Sequence, residues 1–284
     1  MSAFFSVLRF IPKNLISFLT GTLARVRLPW PLNRLACKLF VMAFKIDMGE
    51  AEFPLSQYKT VEDVFTRRLR ADARKVTGPF CSPADGFLAA SGPLANNKAI
   101  QAKGLDYSVH ELVWGDAKVS FSGVLTDYVT VYLAPFNYHR VHSPVEGTLK
   151  KVRYIAGTLW PVNRPFVHAV SGIFVKNERL VFDIDTQYGP VFVVMVGALN
   201  VGRMTAAMIP SMVTNGFRRQ FGMATAEFNP PQPAYKVSCG SELGTFCLGS
   251  TVVVVLSKEF SSRVKSVRNS DFKPIMLGQS LIES

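Results

Sequence analysis

Two of the chain's four histidines, His139 and His142, stand three residues apart in APFNYHRVHSPVEG, bounded by Pro135 and Pro144. Imidazole titrates near neutral pH, so such a pair can supply both a base and an acid to one reaction. The spacing sets a condition. Positions three apart point to opposite faces of a regular strand and share a face only in a helical turn. Both rings serve one site only if the segment bends, which the flanking prolines favour. Two unrelated structural histidines are the alternative. His110 and His168 have no such neighbours and read as structural or exposed.

Asp85, in CSPADGFLAASG, poses a similar choice. Pro83, Asp85 and Gly86 suit a tight turn; a carboxylate that orients an imidazole is the functional alternative. In FCLGSTVVVVL a Gly-Ser pair opens a run of branched aliphatics. Turn chemistry explains it simply. Yet Gly249 leaves its carbonyl open to approach, and the Ser250 hydroxyl follows directly. Attack on that carbonyl moves the acyl group from nitrogen to oxygen. Removal of the Ser250 Cα proton then splits the ester and leaves dehydroalanine, which hydrolyses to a pyruvoyl group. Serine is a weak nucleophile unaided, so a histidine with a supporting aspartate is the expected activator. The constellation on that reading is Asp85, His142 or His139, and Ser250.

Other patterns carry less. VGALNVGRM has no Lys-Ser/Thr after its glycines, so it is not a phosphate-binding loop. Cys37, Cys81, Cys239 and Cys247 contain no C-x-x-C pair. They suggest neither a zinc site nor a disulfide framework and read as buried, reduced thiols. No metal is expected.

These residues need elements to position them. From about residue 80, short runs such as YVTVYLAP, LVFDIDT, VFVVMVGA and STVVVVL alternate with Gly, Pro, Asn and Asp. That texture predicts an α+β chain whose β-rich core has short, mostly antiparallel strands. KTVEDVFTRRLRADAR, residues 59–74, reads as a helix with Thr60 as N-cap and Glu62 and Asp63 in its first turn. KPIMLGQSLIE adds a last turn and strand.

The first 46 residues hold Arg9, Lys13, Arg25, Arg27, Arg34, Lys38 and Lys45 and no acid. Their apolar runs fall short of the roughly 20 residues that span a bilayer. Basic amphipathic helices lying in the membrane interface are one reading; a helical hairpin packed on its own domain is the other. GTLARVR gives no small-x-small cleavage site for a secretory signal. Formal net charge is +12, which favours an anionic partner. The cations are dispersed and no stacking platform stands out, so a membrane is preferred to nucleic acid. Two regions are expected, 1–75 helical and membrane-associating, and 76–284 β-rich and catalytic.

The larger blocks resemble the phosphatidylserine decarboxylases. They are FKIDMGEAEFPLSQYKTVEDVFTRRLR, SPADG, YHRVHSPVEG, GIFVKNERLVFDIDTQYG, VVMVGALNVGRM and GSELGTFCLGSTVVVVL, in the family's order over nearly the whole chain. The resemblance implies a self-cleavage triad of Asp85, His142 and Ser250, with His139 as the proton donor in decarboxylation. It implies a cut between Gly249 and Ser250, giving a β chain 1–249 and an α chain 250–284. Ser250 then becomes a covalent pyruvoyl group that forms a Schiff base with phosphatidylserine and yields phosphatidylethanolamine, without metal or diffusible cofactor. The implied setting is peripheral, on the cytoplasmic face of the cell membrane, with an anionic bilayer as partner and a homodimer allowed. Asn137, Ser143 and Cys239 depart from residues usual in the family. A pyruvoyl decarboxylase of a soluble amino acid and a silent lipid-binding relative are the rival readings.

Overall fold

The computed structural model describes residues 11–102, 104–115, 121–199, 203–215, 225–229, 234–247, 250–268 and 271–283, with Ser250 described by its backbone. Its strands in chain order are β1 (Gly86–Pro93), β2 (Lys98–Ala102), β3 (Leu105–Ser108), β4 (Leu125–Leu133) and β5 (Arg140–His142). β6 (Gly147–Ile155), β7 (Arg179–Thr186), β8 (Gly189–Val196), β9 (Met204–Ala206) and β10 (Ile209–Val213) follow. β11 (Ala226–Phe228), β12 (Tyr235–Val237), β13 (Glu242–Phe246), β14 (Ser250–Ser257) and β15 (Lys273–Ile275) complete the series.

β14 lacks any polar alternation between Val252 and Leu256. A strand of that kind needs cover on both faces. The fold provides it by placing β14 inside a large sheet of order β11-β6-β7-β8-β14-β4-β1-β15, with β12 also on β6. β14 runs antiparallel to β8 on one side and β4 on the other, and Val252–Leu256 are wholly buried. A smaller sheet of order β10-β9-β13-β5 covers one face. There β13 comes so close to β8 that a Cβ on Gly244 would lie 3.0 Å from Met195 Sδ. β2 and β3 form a separate hairpin. The ladders among the described residues are antiparallel. The chain is α+β, as its texture predicts.

Helices are few. α1 (Lys13–Ala24) and α2 (Trp30–Phe44) precede α3 (Val61–Phe65). Thr60 caps α3 as expected, its Oγ1 accepting the Asp63 N–H at 3.0 Å. The helix expected over 59–74 nevertheless ends at Phe65. Beyond it the chain turns extended and pairs with an earlier segment, Glu52 N–H donating to Arg68 O and Arg70 N–H to Glu50 O. Tertiary pairing overrides the helix propensity of TRRLRADAR. The tail supplies the expected strand, β15, and a turn at Leu277 and Gly278, and a short helix Lys258–Arg263 that was not expected precedes them.

α1 is inside out by the standard of a soluble helix. It buries Lys13 and Ser17 and exposes Leu15, Leu19 and Leu23. Lys13 Nζ sits 4.0 Å above the Trp160 ring, and Asn14 donates to Gly157 O. α2 likewise exposes Leu32, Leu35, Leu39 and Met42. Among the described residues no helix is long and apolar enough to cross a membrane.

β1 fixes the segment that carries Asp85. Gly86 pairs with Ile275 of β15, and its Cα faces the Tyr132 carbonyl so closely that any Cβ would strike that oxygen. The obstacle is backbone and cannot swing away. Gly86→Ala should therefore cost about 1–3 kcal/mol by overpacking, read as a lower urea midpoint with an unchanged slope.

Candidate active site

The segment between β4 and β5 bends, as the two histidines require. Asn137 closes a turn, its N–H donating to Ala134 O at 2.9 Å while its Oδ1 accepts the Ala134 N–H at 2.8 Å. His139 thus precedes β5 and His142 ends it. Their rings take different neighbours, and no hydrogen bond or ring contact joins them.

His139 is completely buried. Its ring lies 3.9 Å from that of Phe65, centroid to centroid, and Nδ1 is 2.8 Å from Asn137 O. A carbonyl only accepts, so Nδ1 carries the hydrogen and Nε2 is the bare lone pair. That Nε2 has no partner among the described residues. Desolvation pushes the pKa down to about 3, and the Arg67 guanidinium adds to the fall against the pull of Asn137 O. Arg67 is itself buried, its Nη2 donating to Phe136 O at 3.3 Å.

His142 follows the same logic. Nδ1–H donates to Gly240 O at 2.7 Å, leaving Nε2 to accept the Tyr138 O–H at 3.1 Å. Burial lowers its pKa, with the Gly240 carbonyl, Glu242 and Asp85 pulling the other way. The ring is a neutral base with its lone pair at Nε2.

Asp85 is held by other partners than His142. Arg74 forks onto it, Nε to Oδ1 at 2.9 Å and Nη2 to Oδ2 at 2.6 Å. Leu277 N–H also donates to Oδ1 at 2.8 Å. The same guanidinium reaches both carboxylate oxygens of Glu50, at 3.0 and 2.7 Å. Those bonds hold the Glu50 carboxyl below its usual range and raise Arg74 above its own. The residue orienting His142 here is Gly240, through its carbonyl.

Gly249 lies outside the described residues, but both flanks of its position are fixed. Phe246 N–H donates to His139 O at 2.9 Å, and Ser250 pairs in register with Leu133. Thr251, next along, lines a cavity of about 660 Å3 together with Tyr128, Thr130, Tyr132, Arg164 and Phe272. The hydroxyl of Thr251 is buried there and has no partner among the described residues. His168 lines the same cavity, whereas His110 packs on Trp114. No cluster suited to a metal ion occurs among the described residues.

A family profile for phosphatidylserine decarboxylase matches residues 61–283. The chain belongs to the phosphatidylserine decarboxylase family. It is 38% identical over 250 residues to the phosphatidylserine decarboxylase proenzyme of Alcanivorax borkumensis, covering 86% of this chain and 84% of that protein. Against the proenzyme of Psychrobacter arcticus it is 38% identical over 262 residues, covering 91% and 90%. Against that of Brevibacillus brevis it is 36% identical over 278 residues, covering 95% and 94%.

Within this family member, sequence reasoning missed Arg74, Gly240, Phe65 and Arg67. Tyr138 lay in a quoted motif without a role. The departures have local partners: Asn137 closes the turn, Ser143 Oγ–H donates to Val145 O at 2.7 Å, and Cys239 lies against Cys81.

A depressed histidine pKa makes a signed prediction. Between the ordinary 6.5 and the folded value of about 3, the unfolded chain binds a proton at His139 that the native protein refuses. Its contribution is complete above pH 6.5 and is lost as pH falls towards 3, by at most about 1.4 kcal/mol per pH unit. His139→Gln should flatten the stability profile in that window, measured by urea unfolding at a series of pH values. An unchanged slope would contradict the burial of an uncharged ring.

Proposed function

We propose that this chain decarboxylates phosphatidylserine to phosphatidylethanolamine at a pyruvoyl group made from its own Ser250. One observation carries the reading. The chain on both sides of the Gly249–Ser250 bond is anchored to the His139 segment, Phe246 to the His139 carbonyl and Ser250 to Leu133.

Self-cleavage then assigns roles to this chain's own groups. His142 Nε2 takes the Ser250 hydroxyl proton as the oxygen adds to the Gly249 carbonyl. The backbone nitrogen leaves, giving an ester. Loss of the Cα proton expels the Gly249 carboxylate and leaves dehydroalanine, whose hydrolysis releases ammonia. Asp85 acts as a fixed charge that stabilises the transient His142 imidazolium, an action supported by its upward pull on the His142 pKa. The products are a β chain 1–249 and an α chain 250–284.

The surroundings of position 250 suit a carbonyl prosthetic group. Thr251 lines a cavity of about 660 Å3, and the segment to which this part of the chain is anchored carries His139 with a bare Nε2. The pyruvoyl group supplies an electron sink for the pair left behind when carbon dioxide departs. His139 is assigned the returning proton. A ring so hard to protonate is a strong acid once charged, so it gives that proton up readily.

Residues 1–75 form the membrane-associating region of this reading, and 76–284 the catalytic domain. The outward leucines of α1 and α2 support it, together with Arg25, Arg27, Arg34, Lys38 and Lys45 and the lack of any acid before Asp47. Such a surface meets anionic headgroups with cations and the acyl boundary with leucine. On this reading the protein sits peripherally on the cytoplasmic face, a setting that a decarboxylase of soluble amino acids would not need.

Two experiments test the proposal. On a denaturing gel with intact mass, the wild-type chain should give two fragments, the smaller blocked at its amino terminus. Ser250→Ala should give one uncut, inactive chain, and His142→Ala should also stay uncut. His139→Ala should be cut yet slower in releasing carbon dioxide. A cut and active Ser250→Ala protein would sink the assignment.

For the surface, wild-type protein should co-sediment with vesicles containing phosphatidylserine and come off as salt rises. Leu19→Ser with Leu23→Ser should weaken binding at least tenfold, which is about 1.4 kcal/mol. Equal binding by the variant would refute the role given to α1.

A further inference from the structure

Cys81 and Cys239 are 158 residues apart in sequence, yet their sulfurs lie 2.6 Å apart. Cys81 is completely buried, whereas Cys239 is partly exposed. Cys239 sits in the turn that joins β12 to β13, closed by Ser241 N–H donating to Ser238 O at 2.9 Å. Its own S–H donates to Pro144 O at 3.2 Å. Cys81 therefore supplies the hydrogen between the two sulfurs. Accepting that hydrogen lowers the Cys239 pKa, while the same contact and burial raise that of Cys81. The outer sulfur is the readier nucleophile, and the inner one stands in line behind it.

We propose that Cys81 and Cys239 form an oxidative modification site, closing to an intramolecular disulfide when a low-molecular-weight disulfide reaches Cys239. The Cys239 thiolate attacks one sulfur of that oxidant, whose S–S bond breaks and expels a thiolate. A mixed disulfide remains on Cys239. Cys81 gives its proton to the expelled thiolate and attacks the Cys239 sulfur, expelling the second thiolate of the oxidant. The two cysteine thiols are oxidised, and the oxidant is reduced to two free thiols.

The surrounding backbone suits closure. A disulfide bond is about 2.05 Å long, so the sulfurs need to approach by only about half an ångström. Both segments are braced on the same stretch of chain. Cys81 N–H donates to Pro144 O at 3.0 Å, and Gly240 N–H donates to Ser143 O at 2.8 Å.

The site also touches the catalytic machinery. Gly240, next to Cys239, gives the carbonyl that holds His142 Nδ1–H. Cys81 begins the run that leads to Asp85, within which Pro83 O accepts the His142 N–H at 2.8 Å. A bond between the sulfurs ties the two supports of His142 together. Both cysteines precede the Gly249–Ser250 bond, so the link is independent of whether that bond is cut.

The test uses the full chain incubated with millimolar oxidised glutathione, then denatured, alkylated and weighed. The expected product has lost two hydrogens and resists alkylation at two thiols. Its digest contains a Cys81–Cys239 linked peptide that dithiothreitol abolishes. Its melting temperature should rise above that of the reduced protein, because the link constrains the unfolded chain. Cys239→Ser should leave Cys81 unmodified under the same native conditions. A glutathione adduct that persists on Cys239 overturns the proposal, as does an unchanged wild-type mass or a link through Cys37 or Cys247. The wild-type mass decides the matter even if the variant fails to fold.

Discussion

The placement of β14 in the middle of the large sheet is the constraint on which the rest depends. Its neighbours β8 and β4 both come from chain that precedes Ser250, and they bond it along both edges. Its branched aliphatics Val252–Leu256 are wholly buried. Removing that strand from water-free packing would forfeit about 1.5–3 kcal/mol for each such side chain. The segment after it is equally committed. Leu281 N–H donates to Phe80 O, Ser82 N–H to Gln279 O, and Thr77 N–H to Gly278 O. A chain broken just before Ser250 would still be one interleaved body.

With residue 250 fixed at the mouth of β14, the electrostatics of its surroundings follow from burial. His139 has lost its water and His142 most of its own, and each keeps one backbone acceptor, Asn137 O or Gly240 O. Neither acceptor offsets the loss, so both rings are held neutral with Nε2 bare of hydrogen. The nearby buried charges are compensated in a different manner. Asp85 has three donors in Arg74 and Leu277, and charge-assisted forks of this type are the strong end of the hydrogen-bond range. The arrangement sets uncharged bases beside a clamped carboxylate, so a proton taken by His142 creates positive charge where negative charge already stands.

Local patterns made much of this legible. The aliphatic run announced a strand, Thr60 announced a helix start, and the prolines around the histidine pair announced a bend. What stayed hidden is long-range. Arg74 meets Asp85 across 11 residues, His142 meets Gly240 across 98, and Cys81 meets Cys239 across 158. No periodicity records such pairings, because each is fixed by how sheets stack and not by local preference. The helix expected through residue 74 failed for the same reason, its second half being claimed by pairing with residues 50–52. The orientation of α1 was undecidable in the sequence, since an amphipathic pattern gives two faces and does not say which one the protein covers.

That orientation also qualifies what composition says about the first 75 residues. Their charge and apolar content set them apart from the remainder, yet their contacts do not. Arg74 joins Glu50 to Asp85. Glu62 of α3 takes Arg203 at 2.9 Å and lies 3.7 Å from Arg25. Phe65 covers the ring of His139. The outer side of this region offers leucine and cations to a surface, while its inner side supplies the ring, the fork and the carboxylates that hold the histidine segment in shape. The helix α3, whose Phe65 covers the ring of His139, packs on both leucine-bearing helices, so the helical region and the histidine segment share one continuous set of contacts.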